Sequence, residues 1–294
     1  MHPFRKKSCF IVIVFIAVSF WVTGCISSKK SDTLRIEYDI VLPETFYEEG
    51  IKKLYEGNYQ DAKVAMEKAL EKEPQNAIYR TNLGIAMDGL KLKDKALINY
   101  ERAVEIEPEN TGFLYNLGSA YLQRGKYEEA IKSLTKTVEK EPQNPYYNYN
   151  LGSAYFFLDK FDTSLKFYIK ALELRPNDHL WNFSTGIACH NSGSYEEAIE
   201  YFEKAIKLNP GIGDYYFALG NAYHCMEYIE EAIKEYEKSI KLNPSQSDCY
   251  YYMGMALESI EEYEEAIEAF EYALELEPKN GKYKQALREI MEKY

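Results

Sequence analysis

His190 and His224 lie 34 residues apart, and each has a cysteine beside it, Cys189 or Cys225. Imidazole and thiolate are soft-metal ligands, so these four side chains carry the donor chemistry of a zinc or copper site. Their spacing argues against one. No two of them form an i, i+4 pair on a helix or the closely spaced pairs that structural zinc uses. Two polar residues at equivalent places in a repeated unit is the better reading, and no metal or cofactor is expected. Carboxylate pairs also recur, at Glu128-Glu129, Glu196-Glu197, Glu230-Glu231 and Glu264-Glu265. Adjacent carboxylates could do acid–base chemistry. At the start of a helix they need no such role, because they complement its dipole. The chain has no glycine-rich phosphate loop after a strand, no zinc-protease helix and no nucleophile elbow. It is not expected to be an enzyme.

The interval between the histidines belongs to the whole chain. Pro74, Pro108, Pro142, Pro176, Pro210, Pro244 and Pro278 are spaced by 34 residues without interruption. That period is the length of one helix–turn–helix unit in a stacked array. With proline at position 32, the units run 43–76, 77–110, 111–144, 145–178, 179–212, 213–246 and 247–280. Position 8 is glycine throughout, from Gly50 to Gly254. Glycine inside a helix costs about 1 kcal/mol against alanine, so a close approach by a neighbouring helix backbone is expected there. Positions 20 and 27 are small, as in Ala62 and Ala69. Large residues such as Leu83 at position 7 and Phe202 at position 24 fill the layer around them. Gly57, Gly125 and Gly193 sit where a first helix should end in a left-handed cap.

This pattern resembles the tetratricopeptide repeat (TPR) family over residues 43–280. The resemblance implies an all-α fold: a right-handed superhelix of seven helix–turn–helix repeats. Glu49 stands where a large apolar residue is expected, and repeats 2, 4, 6 and 7 lack the turn glycine, which leaves those turns open. Residues 281–294 read as a capping helix, with Tyr283, Leu287, Ile290, Met291 and Tyr294 on one stripe. A solvating cap is the plainer expectation; a docking face is the alternative.

The amino terminus addresses the compartment. Arg5, Lys6 and Lys7 precede an apolar run from Phe10 to Val22, shorter than the roughly 20 residues of a spanning helix. The run ends in Val22-Thr23-Gly24-Cys25, which resembles the lipobox of bacterial lipoproteins. The resemblance implies a signal peptide over 1–24, lipid on the Cys25 thiol and a mature chain beginning at Cys25. A lipid-anchored, extracytoplasmic protein is expected, at the cell membrane or the outer membrane. Ile26, in place of an aspartate, leans toward the latter. Residues 25–42 form the tether. Within it Leu34, Ile36, Tyr38, Ile40 and Leu42 alternate with mainly polar residues, as in a strand with one apolar face. A strand docked on the array and a linker with a chance pattern both stand.

Removing Arg5, Lys6 and Lys7 with the signal peptide takes the formal net charge from −12 to −15. Nucleic acid is therefore not an expected partner. With Cys25 lipidated, Cys189, Cys225 and Cys249 remain, an odd number that makes no disulfide framework.

In TPR arrays the first helices line a concave groove, and the resemblance places positions 2, 5, 6, 9, 12 and 13 there. In the seven repeats these positions hold no lysine or arginine, and they include Glu44, Glu48, Asp88, Asp214, Asp248 and Glu258. That argues against the carboxylate-clamp mode. Position 5 carries Tyr47, Tyr115, Tyr149, Phe183, Phe217 and Tyr251, with Thr81 the exception. A row of aromatic faces suits an extended peptide with apolar or cationic side chains, and packing alone explains them equally well. Position 6 carries Asn82, Asn116 and Asn150, whose amides could pair with a peptide backbone. This arrangement resembles the asparagine ladder of O-linked N-acetylglucosamine transferases, without a catalytic domain. The expected function is a membrane-anchored scaffold that binds a neutral or basic protein segment during assembly of a cell-envelope complex. The alternative is a transport accessory presenting a small apolar ligand to a solute-binding protein, from a dry pore near Phe156, Phe157 and Phe183. Oligomeric state is left open.

Overall fold

The computed structural model describes residues 42–293. The signal segment, Cys25, the rest of the tether to residue 41, and Tyr294 lie outside the described residues. Among the described residues every regular element is an α-helix. The first helices of the repeats are α1 (Pro43–Tyr55), α3 (Ala77–Gly89), α5 (Thr111–Leu122), α7 (Pro145–Phe156), α9 (His179–Asn191), α11 (Gly213–Cys225) and α13 (Ser247–Ser259). The second helices are α2 (Tyr59–Lys72), α4 (Lys93–Ile106), α6 (Tyr127–Lys140), α8 (Phe161–Leu174), α10 (Tyr195–Leu208), α12 (Ile229–Leu242) and α14 (Tyr263–Leu276), and α15 (Gly281–Lys293) follows them. This is the all-α solenoid of seven repeats that the resemblance implied, with a further helix where the apolar stripe of residues 281–294 put one.

The turn inside each repeat is the same. The N–H of position 16 donates to the carbonyl of position 11, from Asn58 to Lys53 through Glu262 to Leu257, at 2.9–3.1 Å in all seven. Such a closure needs a left-handed residue between them. Gly57, Gly125 and Gly193 supply it at φ of 72–85°. Lys91, Asp159, Glu227 and Glu261 occupy the same region at φ of 56–65°. The four repeats without the glycine therefore keep the turn and carry its steric cost, about 1–2 kcal/mol for a residue with a Cβ.

The joint between repeats uses the proline twice. Its ring stops the second helix, and its carbonyl accepts from position 4 of the next repeat. Arg80, Asn148, Asn182 and Tyr216 donate to Pro74, Pro142, Pro176 and Pro210 at 2.7–3.2 Å. Position 34 then caps the next first helix: Asn76, Asn110, Asn144 and Asp178 each accept from one or two of its first N–H groups.

At the position-8 glycines the nearest neighbour is the position-24 side chain, with the expected second-helix backbone close behind it in two repeats. A Cβ on Gly84, Gly186 or Gly220 would stand 2.6 Å from the ring of Tyr100, Phe202 or Tyr236. The space belongs to the position-24 side chain of the same repeat, while helix backbone stands farther off, as at Gly220, where the Ala232 carbonyl would be 3.2 Å away. Glycine lets a full ring slide under the first helix, and those rings are buried. First helices of adjacent repeats also touch directly (α1 with α3, α5 with α7, α9 with α11, α11 with α13), so one face of the array is made of first helices.

Candidate binding face on the first helices

The position-5 rings are occupied. Tyr47 stacks on Tyr79 with centroids 5.0 Å apart, Tyr115 packs on Tyr147 at 4.9 Å, and Tyr149 stacks on Trp181 at 4.9 Å. Phe183 packs on Tyr215 at 4.6 Å and Tyr251 on Tyr283 at 5.2 Å. In each pair the second ring is position 3 of the following helical unit. Where position 3 is Cys249, Phe217 turns to Tyr252 at 5.7 Å. Thr81, the non-aromatic member, is buried and donates to the Ala77 carbonyl at 3.0 Å. These rings glue one repeat to the next. Single-repeat periodicity gave no sign of this, because the partner lies one period ahead; the signal was there in position 3, where Tyr79, Phe113, Tyr147, Trp181, Tyr215 and Tyr283 recur.

The asparagine ladder is partly spent as well. Asn82 donates to its own helix at the Ile78 carbonyl, 2.9 Å away, and Asn150 donates to Ser119 Oγ of the previous repeat at 2.9 Å. Asn116 lies between them, half-buried. Tyr149 hydroxyl meets Ser184 Oγ at 2.9 Å, a further bond across a repeat joint.

His190 and Cys225 come together: Nε2 and Sγ are 3.7 Å apart. The ring of Tyr195 stands edge-on to His190 with centroids 5.2 Å apart, and the Cys225 thiol beside its hydroxyl pushes that phenol up. Burial pushes the His190 imidazole down, against smaller opposing effects of Asn191 and Asn221, and pushes His224 down too. Both rings are therefore held toward the neutral form. No group of three His, Cys, Asp or Glu side chains able to hold a metal occurs among the described residues. Cys189 and Cys249 are buried, with thiols pushed up to about 11 chiefly by that burial.

The charges need one correction. The repeats themselves contribute no cation to the lining positions, but α15 does. Lys282 Nζ lies 4.0 Å from the Tyr251 ring centroid and 4.6 Å from that of Tyr252. Lys293 pairs with Glu258 at 2.6 Å. Asp88 accepts from the Tyr100 hydroxyl at 2.7 Å and Asp248 from the Tyr283 hydroxyl at 2.8 Å, so half of the six acids are engaged inside the array. Glu44, Glu48 and Asp214 remain exposed. The open apolar surface lies at positions 2, 9 and 13: Ile78 is 47 % exposed, Leu180 55 %, Phe157 54 % and Tyr55 68 %. Two clefts lie at the other end of the array from Tyr55. One is lined from Leu274 to Glu292 and one from Glu277 to Asn280, and neither touches Phe156, Phe157 or Phe183.

A regular stack of helix pairs, joined by the same geometry at each step and exposing one mixed face, defines a repeat scaffold. The comparisons with known proteins agree. Family models described as tetratricopeptide repeat match residues 47–111 and 149–212, and 99–132, and one described as TPR repeat matches 118–159. Together they run from residue 47 to residue 212, more than half of the chain. A model described as subunit 3 of the anaphase-promoting complex, or cyclosome, matches 191–273. A tetratricopeptide repeat protein from Parabacteroides merdae shares the fold, with a TM-score of 0.61 and 23 % identity over 85 % of this chain and 98 % of that one. YrrB, described as a TPR protein with an unusual peptide-binding site, gives a TM-score of 0.57 and 25 % identity over 67 % of this chain and 98 % of that one. Tetratricopeptide repeat protein 37 of Xenopus laevis is 38 % identical over 64 residues, which is 21 % of this chain and only 4 % of that relative. The chain belongs to the tetratricopeptide repeat family, a scaffold fold suited to protein–protein interaction.

Proposed function

We propose that this chain is a lipid-anchored scaffold whose first-helix face binds an extended neutral or basic protein segment during assembly of a cell-envelope complex. The observation that carries the reading is Lys282 lying over Tyr251 and Tyr252. There the array's own chain places a cation over the faces of two aromatic rings, which is the kind of contact a basic segment would make with rings on this side of the array. Exposed Glu44, Glu48 and Asp214 favour the same charge, and Ile78, Leu180 and Phe157 offer apolar contact. The peptide-binding site of YrrB, on the same fold, supports the use of such an array for a peptide. The lipobox-like Val22-Thr23-Gly24-Cys25 supports anchoring through Cys25, and the acidic mature chain disfavours nucleic acid as the partner.

The test is crosslinking in intact cells, with partners identified by mass spectrometry and then measured against purified protein. Tyr149 and Phe183 are unsuitable probes because they hold repeats together. Ile78→Ser with Leu180→Ser removes exposed contacts only. This double variant should weaken partner binding about tenfold with an unchanged circular-dichroism spectrum, the scale of two lost apolar contacts. Cys25→Ser should move the protein from the membrane to the soluble fraction. Full partner recovery by the double variant would remove the face from consideration, and membrane retention of the Cys25 variant would do the same for the lipid.

A further inference from the structure

The amphipathic stripe of α15 is not all used. Tyr283 and Ile290 are buried against repeat 7, whereas Met291 is 61 % exposed and Leu287 is half-buried. In complete repeats the residues at the same helical positions are covered by the repeat's own second helix: Leu83 and Leu151 at position 7, Met87 and Cys189 at position 11, all buried. Among the described residues no helix covers Leu287 and Met291, and the surface there is a cleft of about 420 Å³ lined by Leu274, Lys284, Leu287, Arg288, Met291 and Glu292. An ordinary second helix does not fit this seat. Position 8, glycine in every repeat to make room for the position-24 side chain beneath it, is Arg288 here. Whatever lies on this face must stand off by the length of an arginine and offer it a carboxylate.

Among the described residues, α15 itself meets both demands. Residues 284, 287, 288, 291 and 292 share a face, basic toward the helix start (Lys284, Arg288) and acidic toward its end (Glu292), with Leu287 and Met291 between. Turned antiparallel, a second copy brings its acidic end to the basic end of the first. We propose that this face pairs two copies of the chain through α15, antiparallel about a two-fold axis. Leu287 and Met291 interdigitate, and Arg288 of each copy reaches Glu292 of the other. The contact is isologous, so it closes at a dimer. A single helix pair is a small interface by the standards of stable complexes, so the expected association is weak, on the order of 10–100 µM. This inference rests neither on the first-helix face nor on the lipid.

Sedimentation velocity of the full chain with Cys25→Ser, from about 1 to 300 µM, tests it. Wild-type α15 should give a monomer–dimer equilibrium with no larger species. Met291→Lys should leave a monomer throughout. Arg288→Glu and Glu292→Arg should each weaken the dimer about tenfold or more, and the double exchange Arg288→Glu/Glu292→Arg should restore it. A wild-type circular-dichroism spectrum for each single variant checks that it folds. A monomer at 300 µM, open-ended growth beyond dimers, or single and double variants that dimerise alike would each overturn the pairing.

Discussion

At position 8 two effects of a single methyl group oppose each other. Alanine in place of Gly186 gains helix propensity, about 1 kcal/mol. It also puts a Cβ 2.6 Å from two atoms of the Phe202 ring, which is fully buried and has nowhere to retreat. Overpacking of this kind costs about 1–3 kcal/mol, and it should win because the obstacle is a rigid ring rather than the end of a flexible chain. Gly186→Ala is therefore expected to lower stability in urea by up to about 2 kcal/mol. Phe202→Leu alone should cost a similar amount by leaving a void. The two together should cost less than the sum, because the alanine occupies space the ring has left. Strict additivity would mean that the ring does not occupy the glycine's place. The same reasoning sets Tyr149 apart from Leu180. Tyr149 is stacked on Trp181 and bonded to Ser184, so truncating it damages a joint, whereas Leu180 is 55 % exposed and can be cut back at little structural cost.

At the scale of the element, the seven turns form a natural experiment. All close with the same hydrogen bond from position 16 to position 11, yet three have glycine at position 15 and four do not. Glu261 is exposed at φ 65°, so its side chain contributes nothing that offsets its backbone strain. Glu261→Gly should stabilise the protein by about 1 kcal/mol, the αL penalty less the greater unfolded-state freedom of glycine. In an array of this length that is a rise in Tm of roughly 2–4 °C, readable by calorimetry. A fall in Tm would show that the turn is not strained. The helices, their register and three of the turns were legible in the sequence, because proline and glycine act locally and recur. The remaining turns were not, since a left-handed lysine or glutamate leaves no mark in composition. The binding face was legible only in outline. Position 5 of one repeat meets position 3 of the next, and Lys282 and Lys293 reach the face from a helix outside the repeats, so both facts lie across a boundary that reading by repeat draws.

For the array as a whole, stability should depend on pH through its tyrosines. Burial first, with nearby carboxylates second, pushes Tyr79 up to about 12, as it does Tyr121 with Glu101 and Glu129 beside it. Tyr283 is also pushed up to about 12, and burial drives Tyr100, Tyr168 and Tyr236 higher still. A group whose folded pKa lies above its unfolded value, here near 10, stabilises the fold fully below that value. The contribution is lost as pH rises through the folded pKa. These six tyrosines run from α3 to α15, and each repeat contacts its neighbours, so the loss is shared along the stack. The protein should hold its helical signal to about pH 10 and unfold with a midpoint between about 10 and 12. Absorbance at 295 nm should rise in two steps, the second coinciding with loss of ellipticity at 222 nm. At the acid end the sign reverses: burial pushes His190 and His224 down, so their share is present above about pH 6.5 and is lost as pH falls through their folded pKa values. Complete tyrosine ionisation with the helices intact would show that the rings at the joints are not buried as described.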